Sequence, residues 1–358
     1  METFLATLSP AADAVAIQEC IFSKGSRAQA GSKMLDGFTA PFDAAVVEKL
    51  QSAGLTLAGV TAMDEFSLGS TDKDDAPCAA VQAVLSGSCC AVLCNDLSGK
   101  VRRAAAENGM VYLHPSYGTV SRCGLIPSVC SMDQIGVLAK TAADCFRLLA
   151  VIAGHDSRDG TSLPQEAYSY TETAAPTLAA PKNFWEAASD AQKASLKPLV
   201  CNEIELPYTD CCAPVQYILS AAELSNNINR YDGIKFGHRS ENYNGLNELY
   251  VNSRTEGFGK TTKLAAIMGA YVLSQEQYTP LYEKAMRLRR RIRDSLDFAG
   301  YDILVLPASC AASPYEQSAL AAPSALAGLP CLAANGLLFY AAAGNENALY
   351  TLAKGWSE

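Results

Sequence analysis

Four short runs of almost wholly apolar residues constrain this chain more than anything else in it. LTLAGV (55–60), CCAVLC (89–94), MVYLHP (110–115) and YDILVLPAS (301–309) each have the length of one strand. None alternates apolar with polar residues, so each calls for cover on both faces. Helical segments stand between them. FDAAVVEKLQSA (42–53) places apolar residues at helical spacing and stops at Gly54, and KVRRAAAEN (100–108) stops at Gly109. Thr141-Ala-Ala-Asp144 reads as a capping box, with Asp144 reaching back to the Thr141 amide, and opens a helix that ends at Gly154. This order of strand and helix predicts an α/β fold, a sheet flanked by helices.

Residues 156–200 break the rhythm. They are rich in small, polar and Pro residues and read as a surface excursion. Helical patterns dominate 214–300, including YEKAMRLRRRIRDSLDFAG (282–300). Leu288 and Ile292 interrupt its basic run at helical spacing, so a solvated helix face is expected rather than a nucleic-acid patch. The run at 301–309 then returns the chain to the sheet.

Charge and cysteine usage exclude several classes. With 49% hydrophobic and 18% charged residues over 358 positions, the chain has ample apolar mass for a core. Its net charge of −9 argues against binding nucleic acid through a general positive field, and no direct nucleic-acid binding is expected. No basic stretch followed by an apolar run opens the chain, and no span of about 18 apolar residues occurs. Neither a signal peptide nor a membrane span is expected, and the cytoplasm is the expected location. The 13 Cys sit mostly in apolar segments, and no CxxC pairs with a second CxxC or an HxxxH. They read as small buried hydrophobes, so no metal site and no cofactor is expected. His114, His155 and His238 are too few to supply a histidine-based centre.

Three long stretches carry specific strings: MDEF within 20–70, YGTVSR and SMDQIG within 114–162, and EGFG within 230–274, with PSALAGLPC (323–331) following. Together they resemble the amidase signature family, and within it the branch of glutamyl-tRNA amidotransferase A subunits. The resemblance implies one α/β/α domain over 1–358, with a central mixed sheet covered by helices on both faces. Its core would span 1–155 and 300–358, around a mostly helical excursion at about 156–299. It implies a Ser-Ser-Lys triad: a neutral Lys as base, a Ser that relays the proton, and a second Ser at a Gly-rich turn that attacks the amide carbon.

At the matching positions this chain carries none of the three. The Lys segment matches Ile17-Gln18-Glu19-Cys20, and the Gln18 amide cannot accept a proton near neutral pH. The nucleophile segment matches Cys94-Asn95-Asp96-Leu97-Ser98-Gly99-Lys100-Val101-Arg102, which places Lys100 at the nucleophile position. Family spacing puts Ala76 at the relay position, beside a deletion. The substrate side departs too. The family Arg segment matches Lys263-Leu264-Ala265, the Asp position matches Ser318, and the Tyr position matches Tyr217 or Gln216. Asp96, Gly99, Arg102, Tyr217 and Ser318 are thus read as pocket remnants, with Asp96 and Arg102 expected to form a structural ion pair.

Two further uses of the turn are conceivable. Ser98 and Lys100 form a Ser-x-Lys pair that would be a relocated catalytic pair if Lys100 were neutral. Alternatively, residues 97–100 would hold an anion at a helix start. The expected function is that of a catalytically inactive homologue serving binding or assembly. The alternative is an active amidase or a working amidotransferase component. The expected partners are amidotransferase-type subunits or a second copy of the chain.

Overall fold

The computed structural model describes residues 4–8, 13–69, 77–199, 201–310 and 314–355. Among these, eleven strands form one sheet: β1 (Ala6–Thr7), β2 (Val15–Gln18), β3 (Leu57–Thr61), β4 (Ala91–Asn95), β5 (Val111–His114), β6 (Ile135–Ala139), β7 (Leu178–Pro181), β8 (Cys201–Ile204), β9 (Ile303–Pro307), β10 (Cys331–Ala334) and β11 (Leu337–Ala341). Their order across the sheet is β1-β3-β2-β4-β6-β5-β10-β11-β9-β7-β8. β2 runs parallel to β3 and β4, and β7 runs parallel to β8 and β9. The remaining pairs are antiparallel, so the sheet is mixed.

Both faces are covered, as the unbroken apolar runs require. In β4, Ala91 and Leu93 enter one core while Val92 and Cys94 enter the other. β9 repeats this, with Ile303 and Val305 on one side and Leu304 and Leu306 on the other. The first core is closed by α1 (Ala45–Ser52), the second by α2 (Ala79–Leu85) and α3 (Lys100–Glu107), and α4 (Ala142–Ile152) returns to the first. Then follow α5 (Lys182–Trp185), α6 (Asp190–Leu196), α7 (Thr209–Asn227), α8 (Leu246–Gly257), α9 (Lys260–Val272), α10 (Lys284–Ser295), α11 (Pro314–Gln317), α12 (Ala322–Ala327) and α13 (Glu346–Lys354).

The four strand expectations and the three helix expectations fall on β3, β4, β5, β9, α1, α3 and α4, with ends shifted by one to three residues. The capping box at α4 differs in its bonding. The Asp144 amide donates to the Thr141 hydroxyl at 3.1 Å, but the Asp144 carboxylate accepts from that hydroxyl at 2.7 Å instead of from the Thr141 amide.

Residues 156–200 are not only a surface excursion. LAAP (178–181) is a buried strand of small residues that extends the sheet beside β9, and the Trp185 indole N–H donates to the Val305 carbonyl at 3.1 Å. Small side chains suit a strand packed on both faces, but they carry no periodic signal. The basic run of α10 is only partly a solvated face. The Arg289 guanidinium turns inward and donates to Leu326 O and to the Ser131 carbonyl and hydroxyl, tying α10 to α12.

Candidate functional site

The C-terminal ends of β2 and β4 meet the start of α3, and here the matched positions converge. Gly99 makes the turn with φ of +81°, a conformation most side chains resist. A Cβ there would also stand 2.9 Å from Ala321 Cβ. The turn delivers the chain from the buried end of β4 directly into α3.

Asp96 organises this turn. Its carboxylate accepts from the Val101 amide at 2.9 Å, the Arg102 amide at 3.1 Å and Arg102 Nε at 2.8 Å. Arg102 also donates to the Asp96 carbonyl at 2.7 Å and to the Ser324 hydroxyl. Both side chains are buried, so the expected ion pair is present as a dense internal network. Burial works against the Arg102 charge, and the Asp96 carboxylate more than offsets it, holding the guanidinium above its ordinary range. This occupancy also disposes of the anion site expected at the helix start. The Val101 and Arg102 amides that would hold an anion are already taken by Asp96.

Lys100, the first residue of α3, points into the cleft rather than to solvent. Its amine donates to Asp64 Oδ1 at 2.9 Å, and both side chains are mostly buried. Gln18, at the end of β2, is buried and accepts the Asn95 amide N–H through Oε1 at 2.9 Å. Asn95 in turn bonds Asp133 and the Gln134 amide, so the floor is a chain of satisfied polar groups. Among the described residues, no hydrogen bond joins Ser98 to Lys100.

A cavity of about 130 Å³ lies over this floor. Gln18, Asp64, Ser67, Cys78, Ser98 and Lys100 contribute its polar lining. Tyr217 and Ser318 do not line it. Gln216, the other match for the Tyr position, is the one that reaches the turn, donating to the Leu97 carbonyl at 3.1 Å. Lys263, Leu264 and Ala265 lie on α9, where Lys263 donates to the Thr255 carbonyl, Leu264 faces outward and Ala265 is buried. Ala76, matched to the relay position, lies outside the described residues.

Sequence reasoning missed Asp64 and Cys78. Asp64 belongs to the MDEF string, and nothing in that string by itself assigns it a role. Its neighbour Glu65 accepts from the Ser32 hydroxyl at 2.5 Å, from the Gly259 amide at 3.0 Å and from the Thr262 hydroxyl. MDEF and EGFG are thereby bound together at the rim of the cleft. Cys78 is a nucleophilic residue type inside the cavity. Burial pushes its thiol above the ordinary range, with the Asp96 charge adding to this, although nearby backbone N–H groups and Lys100 pull the other way. Among the described residues, no three His, Cys, Asp or Glu side chains gather as a metal centre, and no helix is long and apolar enough to cross a membrane.

A family profile described as Amidase matches residues 14–76 and 78–334 of this chain. The A subunit of glutamyl-tRNA(Gln) amidotransferase from Chromohalobacter salexigens is 38% identical over 328 residues, covering 82% of this chain and 67% of that protein. Its counterpart from Coxiella burnetii is 37% identical over 329 residues, covering 82% and 68%. Among solved structures, the corresponding A subunit from Thermotoga maritima superposes with a TM-score of 0.77 at 24% identity, covering 98% of this chain and 86% of that one. That likeness is one of fold.

Proposed function

Because the chain belongs to the amidase family, we propose that it is a catalytically silent member, one that keeps the family scaffold over 1–358 as a single unit and serves binding or assembly. The carrying observation is the Lys100–Asp64 ion pair inside the cleft. An amine paired to a carboxylate at 2.9 Å is held in its charged form, and a charged amine neither attacks a carbonyl nor accepts a proton. Gln18 supports the same reading, because an amide whose oxygen is spent on the Asn95 N–H is a poor base. The Asp96–Arg102 network supports it further. It stabilises the turn without presenting a hydroxyl at the Lys100 position.

The alternative is an active amidase or amidotransferase component working through Ser98 and Lys100. Both side chains line the cavity, which is the observation in its favour. It needs Lys100 to leave Asp64 and lose its proton. The test is hydrolysis of glutamine, asparagine and simple aryl amides by the purified chain, with ammonia or aryl-amine release as the readout. The expected result is no release above the uncatalysed background. Release that disappears in Ser98→Ala overturns the proposal and establishes the alternative. Partner subunits of the amidotransferase type are part of this reading and are tested by co-purification.

A further inference from the structure

The outward face of α9 is apolar where a surface helix is ordinarily polar. Thr262, Ala265, Gly269 and Val272 are buried against the rest of the molecule. The opposite face carries Leu264, Ile267 and Tyr271 at the i, i+3, i+7 spacing of a single stripe. They are 45%, 69% and 53% exposed, with Ile267 at the centre of the stripe. A lone exposed apolar residue is ordinary, but three along one helix face of 13 residues form a continuous strip. Val251 and Leu246 on the preceding helix α8 are also exposed.

We propose that this face of α9 is a two-fold interface with a second copy of the chain, the two α9 helices packing antiparallel about Ile267. Self-complementarity argues for a copy rather than an unrelated protein. Antiparallel pairing centred on Ile267 sets Leu264 of each chain near Tyr271 of the other, so every apolar residue in the stripe meets another. It also sets Lys260 and Lys263, at the start of the stripe, toward the exposed Glu276 that follows its end. The two helix dipoles then oppose one another favourably. A parallel arrangement would put lysine against lysine. The interface rests on the proposed assembly role and names its surface, but it does not depend on the cleft being silent.

The test is the mass of the purified full-length chain by light scattering and sedimentation velocity at micromolar concentrations, for the wild type and Ile267→Glu. The expected result is a wild-type dimer that becomes a monomer in Ile267→Glu, with unchanged far-UV circular dichroism and melting temperature. Leu264→Glu should give the same outcome, whereas Leu85→Glu, at an exposed position on α2, should leave the dimer intact. A wild-type monomer overturns the proposal, and so does a dimer that survives both α9 substitutions. A hetero-complex that forms on this face while the chain alone stays monomeric also overturns it. Hydrolysis of glutamine would sink the silent-cleft reading while leaving the dimer prediction standing, so the two failures are distinguishable.

Discussion

At Arg102 the chain carries a full positive charge into its interior, and the nearby acceptors are arranged around it. Removing one member of a buried pair strands the other charge, which costs more than the pair itself contributes. Arg102→Ala is therefore expected to lower unfolding free energy by about 3–5 kcal/mol, measured by urea denaturation. A loss below about 1 kcal/mol would mean that water reaches Asp96 and the network is no clamp. The contrast with Lys100 is one of environment. Lys100 and Asp64 lie at the edge of a cavity, where their attraction is screened and the pair matters more for what the cleft can do than for stability. The Asp96–Arg102 pairing was legible in the sequence because the two sit on one turn. Asp64 was not, because it arrives from 36 positions away.

Among the elements, the packing of α9 on α7 shows why a particular residue type is required. A Cβ at Gly269 would stand 2.1 Å from the Ala221 carbonyl oxygen, with the Ser225 hydroxyl also inside contact range. In a free helix, Gly→Ala is worth about 1 kcal/mol in favour of Ala. Here the overlap is with backbone, which cannot rotate away, and overpacking of this kind costs about 1–3 kcal/mol or more. Gly269→Ala is thus expected to lower the melting temperature, with a net cost of about 1–2 kcal/mol by calorimetry. A rise in melting temperature would show that α7 and α9 can separate freely. The same element explains a limit of sequence reading. Helical periodicity in 260–272 identifies the helix, yet both of its faces look apolar in the sequence, and only packing reveals which one is left outside.

On the scale of the whole molecule, the two-sided burial of the sheet fixes its response to acid. His114 ends β5 inside the core, and neither ring nitrogen meets a hydrogen-bond partner among the described residues. Burial, with the Arg102 charge adding to it, pushes the imidazole well below its ordinary value of 6.5. The folded state therefore keeps His114 neutral while the unfolded chain takes up a proton. Stability from this group is full above pH 6.5 and falls as pH drops below it, by about 1.4 kcal/mol per pH unit. Glu19 and Asp133 work in the opposite direction at lower pH, because burial raises both carboxyls and folding then favours their protonated forms. The clean measurement is a difference: urea stability at pH 7 and pH 5 for the wild type and for His114→Leu. The wild type is expected to lose about 2 kcal/mol more than the variant over that interval. Equal losses would place the His114 proton uptake outside this window.

The sequence alone determined the class of fold, because apolar runs of strand length between amphipathic helices have few ways to be buried, and an α/β sheet covered on both sides is the economical one. It also determined that Gln18 and Lys100 stand where the family resemblance implies a base and a nucleophile, since residue identity at a matched position is read directly. Tertiary structure decided the rest. It placed LAAP (178–181) in the sheet, turned Arg289 inward, brought Gln216 instead of Tyr217 to the turn, and set Asp64 against Lys100. These outcomes depend on which segments approach through space. Local pattern reports a side chain's periodicity and chemistry, whereas its partners are chosen by the packing of elements far apart along the chain.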